Sequence, residues 1–200
     1  MTHLRTMIAG FLLFALQACG SATPPIVVTP DIAFAGVDHA AQALVGTYQN
    51  TDFTPLHTLP TNDSASYGGY LGATIYNNQD NRVTRVVGQA DITLSFAASF
   101  ITAAGSIDGF VDETQGAMQG TLYLSNATLD RDGDPDVDPT FVAQATGVLR
   151  WPSLLSRSID IVLEGDLRTA QHTALAGEVL GHHTASGGNG RVVGSFVLER

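Results

Sequence analysis

Residues 88–97 read GQADITLSFA, and within them Ala90, Ile92, Leu94 and Phe96 alternate with Asp91, Thr93 and Ser95. A polarity period of two sends one set of side chains to each face of an extended chain, the mark of a half-buried strand. The pattern returns downstream. Met118, Gly120, Leu122 and Leu124 alternate with Gln119, Thr121, Tyr123 and Ser125, and Phe141, Ala143, Ala145 and Gly147 repeat it. Ile159, Ile161 and Leu163 oppose Asp160, Val162 and Glu164, while Val192, Gly194, Phe196 and Leu198 close the series. With segments near 68–77, 100–110 and 173–181 there are eight candidate strands, divided by turn-rich stretches such as NNQDN and HTASGGNG.

Evenly spaced strands with short turns suggest an antiparallel sandwich or barrel, and eight are enough to close a barrel filled by its own side chains. Closure also removes exposed strand edges. Abundant Gly and Ala on the apolar face suit a narrow interior, and no helical period looks long enough to cover a sheet face. The expected fold class is all-β: an eight-stranded antiparallel up-and-down β-barrel preceded by a short irregular segment. Aromatic residues are too sparse for the two interfacial girdles of a membrane barrel, and the chain ends Leu198-Glu199-Arg200. The wettable side is therefore expected to face outward.

Upstream of the strands the character differs. Residues 37–66 read as a short irregular, handle-like segment, with one helical turn over 38–46, Asp38 as its N-cap and Gly46 beyond its end. Residues 19–36 are Pro-rich and read as an extended tether. The apolar run Met7–Leu16 after Arg5 is too short to span a bilayer but has the dimensions of a signal-peptide core, which sets residues 1–18 apart as a leader. The chain's one cysteine, Cys19, closes the stretch Leu16-Gln17-Ala18-Cys19, which resembles the lipobox of bacterial lipoproteins. That resemblance implies cleavage before Cys19 and acyl chains on it. Each buried methylene contributes about 0.8 kcal/mol, so several chains anchor where one would exchange. The expected partner at this end is the membrane, and the expected location is the outer membrane, facing the periplasm or the cell surface.

The remaining chemistry is sparse. All nine basic residues are arginine, and loss of Arg5 with the leader moves the formal charge from −10 to −11. Without a basic cluster, nucleic acid is not an expected partner. A lone cysteine leaves no intrachain disulfide. There is no G-x-S-x-G elbow, H-E-x-x-H or Cys–His pair, so no enzyme activity is expected.

Residues 54–72 (TPLHTLPTNDSASYGGYLG), then 88–110, then ALAGEVLGHH (174–183) and VVGSFVLER (192–200), are similar in order to the barrel domain of transferrin-binding protein B and related surface lipoproteins. The matching points are Tyr67 with Gly69 or Tyr70 with Gly72, Ala90–Phe96, Gly105–Phe110, then Ala176, Glu178 and Gly181, and finally Gly194 with Phe196. Leu167-Arg168-Thr169 stands where the family commonly has an aromatic–Gly pair. The resemblance covers the last two-thirds of the chain and implies a barrel over residues 67–200 on a lipid-anchored surface protein. It does not imply transferrin as the ligand, because the recognition surfaces of the two-lobed receptor are mostly missing here.

Three groups of residues are candidate sites. In DRDGDPDVD, the carboxylates of Asp130, Asp132, Asp134, Asp136 and Asp138 recur at every second position, and calcium takes six to eight oxygens that such a turn would supply. The loop is not an EF-hand, since Pro135 stands where that motif has Gly. His182 and His183 offer imidazoles to haem or a transition metal, as in haem-binding relatives of the fold, but would share one ion only from a loop. Trp151, Leu154 and Leu155 place apolar groups on a connection, where they either contact a partner or plug a barrel end. The resulting expectation is a non-catalytic binding protein whose rim loops take a protein or an iron- or haem-type nutrient. A lipocalin-like carrier of a small apolar ligand and a calcium-dependent adhesive module are the alternatives.

Overall fold

In a computed structural model of the chain, residues 30–48, 50–97, 100–136, 138 and 140–200 are described. Cys19, the leader and the tether up to residue 29 lie outside the described residues. The strands are β1 (Asn62–Tyr76), β2 (Arg82–Ala97), β3 (Ile101–Asp112), the two-residue β4 (Gly116–Ala117), β5 (Leu122–Leu129), β6 (Phe141–Arg150), β7 (Ser156–Arg168), β8 (Ala174–Ala185) and β9 (Gly188–Glu199). Each long strand pairs antiparallel with its neighbours along the chain. β1 then pairs with β9, from Gly68↔Glu199 to Ile75↔Val192, so the eight long strands close into an up-and-down barrel.

The alternation of residues 88–97 is kept: Ala90, Ile92, Leu94 and Phe96 are all buried. Phe141 on β6 and Phe196 on β9 meet edge to face, ring centroids 6.1 Å apart. Two strands separate them in the sheet, so this contact spans the lumen. Tyr67, Leu71, Ile75 and Phe110 are buried with them, and each such side chain contributes roughly 1.5–3 kcal/mol. At the barrel's tight bends Gly165 and Gly177 face each other, where a Cβ on either would strike the neighbouring backbone.

Three boundaries differ from the sequence reading. The barrel begins at Asn62 rather than Tyr67. The strand expected from Met118 begins at Leu122, because Gly120 turns at φ +119 against the Val148 carbonyl. Within β5, Asn126 at φ +50 forms a bulge that shifts the inward set from Leu122 and Leu124 to Ala127 and Leu129.

The largest correction is α1, a helix over Pro30–Tyr48 in place of a tether ending at 36 and a single turn. Proline is at home in a first helical turn, where its missing N–H is no loss. Phe34, Val37, Ala41, Leu44, Val45 and Tyr48 follow the helical period and are at least half-buried. The helix lies on the outer wall against β1, β2, β3, β4 and β9. Beneath it Val87, Val111 and Val197 are buried although they lie outside the interior cluster. Asp38, expected as a cap, instead pairs with Arg85 at 2.8 Å, and Tyr48 donates to Glu199 at 3.2 Å.

Candidate functional site

The two barrel ends are built differently. At the floor, where β1 begins, residues 52–60 seal the opening. Thr54 N–H donates to the Leu167 carbonyl and Thr169 N–H to that of Asp52, which drives Leu56 and Leu59 into the core. Arg131 donates to the Leu59, Pro60 and Ala97 carbonyls at 2.7–3.1 Å, tying the Asp-rich loop to this seal. Tyr67 donates to the His172 carbonyl at 2.9 Å, and its burial pushes its pKa up to about 12.

At the opposite end, the mouth, polar side chains continue the inward set of their strands. Asp112 is fully buried at the end of β3. Its Oδ2 accepts from Trp151 Nε1 at 2.7 Å and Thr84 Oγ1 at 2.8 Å. Its Oδ1 accepts from Thr114 N and Oγ1 and from Gln115 N, at 2.8–2.9 Å. Burial alone would raise the Asp112 pKa, but these donors outweigh it and hold the carboxyl below its ordinary value. The carboxylate thus links β2 and β3 to the connection after β6, with the Trp151 indole turned inward.

Arg157 and His183 form the second half of the mouth. The Arg157 guanidinium lies 5.4 Å from the Trp151 ring centroid, and its Nη1 is 3.1 Å from His183 Nδ1. Arg157 Nη1, 3.1 and 3.2 Å from the two ring nitrogens, lies over the imidazole face. His183 Nε2 is 2.9 Å from the Tyr76 carbonyl, which only accepts, so Nε2 carries the proton and donates to it. This bond reaches from β8 across β9 to β1. Gly190 permits it, since a Cβ there would lie 2.7 Å from His183 Nε2 and strike the Tyr76 carbonyl. Burial, first, and then the Arg157 and His182 charges hold the His183 pKa below its ordinary 6.5, against the Tyr76 bond.

Compared with family models, curated proteins and solved structures, the chain matches none.

The structure separates most of the candidate residues. His182 and His183 sit inside β8 on opposite faces, His182 exposed beside Asp160 and His183 buried, so they do not share an ion. Among the described residues no three His, Cys, Asp or Glu side chains converge for a metal. In the Asp-rich loop, Asp130 and Asp134 each use Oδ1 to accept the N–H two residues on, from Asp132 and Asp136, while Asp138 N–H donates to the Asp134 carbonyl. Trp151 is a plug rather than a contact, and Leu155 packs against the core. Leu154 is the exception: it is 80% exposed.

Asp112, Arg157 and Arg131 were missed by sequence reasoning. Arg157 and His183 share the parity of the inward Ile159 and Val179, and Asp112 that of Phe110. A polar residue continuing an apolar face at a strand end was the available signal.

Proposed function

We propose that this chain is a lipid-anchored outer-membrane binding protein whose barrel is a non-catalytic scaffold presenting its mouth to a partner. The observation that carries this reading is Leu154. Its backbone stands at φ +65, a region costly for a branched side chain, and its side chain is exposed at the mouth. Backbone strain and an exposed apolar group both oppose stability, and such conformations concentrate at functional sites. A barrel interior occupied by Phe141 and Phe196 favours surface binding over an internal carrier cavity.

Anchoring rests on Cys19 and the apolar run before it, and the likeness to the transferrin-binding protein B barrel supports display on the envelope. A protein or a nutrient-bearing partner fits that setting. Cys19→Ala is the test: the wild type is expected in the membrane fraction and the variant in the soluble one. A variant that still fractionates with membranes contradicts the anchor. Protease treatment of intact cells then assigns the facing side, cleavage indicating display at the surface.

A further inference from the structure

Beside the plug, a rim pocket of about 200 Å³ is lined by Asn78, Val83, Leu155, Arg157, His183 and Asn189, among others. Ordinary small-molecule pockets run from about 300 to 1,000 Å³, so only a small ligand fits. Arg157 has no ion-pair partner within 4.0 Å among the described residues. The acid that acts on it, Asp112, already accepts five hydrogen bonds. Among the described residues only Nη1 of the guanidinium nitrogens has a partner, the His183 ring, and Nε and Nη2 have none. The side-chain amides of Asn78 and Asn189, both exposed residues, likewise make no hydrogen bond to a described residue, and Arg157 Nε and Nη2 are not shut off from solvent.

A guanidinium cannot shed its charge, and although Asp112 offsets that charge through space, donors left unpaired in a half-buried pocket are costly. Its planar fork matches two oxygens on one carbon. One guanidinium fork suits one carboxylate, and the Val83 and Leu155 walls suit carbon. We propose that the mouth pocket binds a small monocarboxylate with a short apolar tail, its oxygens on Arg157 and its tail against Val83 and Leu155. This rests on the reading of the mouth as the binding end. The acidic balance of the chain opposes an anion only weakly at this range, since charges beyond about 8 Å are screened at physiological salt.

Trp151 is the chain's one tryptophan and lies against Arg157, so its emission reports on the pocket. The full chain would be titrated with butyrate at constant ionic strength, with butyramide as the uncharged analogue. Saturable change with butyrate is expected, with binding weaker by roughly 10- to 100-fold for butyramide, the size of a charge-assisted hydrogen bond. Arg157→Gln is expected to lose binding by a similar factor. Val83→Glu, at a 44% exposed position that tolerates a charge, guards against misfolding by supplying an internal carboxylate that competes for Arg157. No saturation, equal response to butyramide, or unaltered binding in a folded Val83→Glu chain overturns the proposal. Cys19→Ala fractionation is independent of this readout, so failure of the pocket and failure of the anchor are told apart.

Discussion

The floor and the mouth solve the same problem, the end of a barrel, with different chemistry. At the floor a backbone segment is laid across the opening, and Leu56 and Leu59 complete the core under main-chain hydrogen bonds. At the mouth the side chains of Thr84, Asp112, Trp151, Arg157 and His183 do the closing. The seal of backbone and leucine still leaves Arg131 Nε and Arg168 Nε buried without hydrogen-bond partners among the described residues. A plug of charged side chains leaves a guanidinium facing an open pocket.

The largest expected effect comes from breaking the plug. Asp112→Ala strips the partners from Trp151 Nε1, Thr84 and two backbone N–H groups in a dry setting, at a cost of about 3 kcal/mol or more. Urea unfolding measures this, and a change under 1 kcal/mol would show that the mouth is not held by this carboxylate. At the floor, Arg131→Met removes three hydrogen bonds to carbonyls and is expected to cost about 2 kcal/mol. It is also expected to speed hydrogen exchange at Leu59, whose N–H bond lies in the seal, without altering Trp151 emission.

Acid sharpens the contrast in two steps. His183 at the mouth and His172 at the floor both have pKa values depressed below 6.5 by burial first, with Arg157 and His182 adding to it at His183 and Arg200 at His172, where Asp63 opposes. The unfolded chain therefore binds protons first, and stability falls as pH drops below about 6.5 until the folded imidazoles charge too. Asp112 acts in a lower window: its depressed pKa gives stability above about 3.8 that is lost as pH falls through its folded value. Replacing both histidines with Gln is expected to erase the first step alone, as read by urea midpoints across pH. The smallest effect is expected at Leu154, where Gly relieves the left-handed strain and stabilises by about 1 kcal/mol while weakening partner binding.

The wall of the barrel was legible in the sequence because a period of two survives wherever one face is buried. It failed locally at Gly120 and Asn126, where a turn and a bulge change the parity without changing the composition. The helix reads in the sequence as a single turn over 38–46 because its apolar stripe is diluted by Gly36 and Gly46 and follows a Pro-rich run that reads as a spacer. Of the side chains closing the mouth, only Trp151 and His183 stood out in the sequence, and their partners did not. Thr84, Asp112, Trp151, Arg157 and His183 come from five parts of the chain, and no short spacing links them. Adjacent residues such as His182 and His183 drew attention, yet on a strand adjacency sends side chains apart.

Backbone amide resonances of the full chain, followed during a butyrate titration, test the functional polarity of the barrel most directly. Shifts are expected at Val83, Arg157, His183 and Asn189, with Thr54, Leu59, Leu167 and Thr169 unmoved. Shifts centred on the floor, or none at the mouth at saturating butyrate, would contradict it.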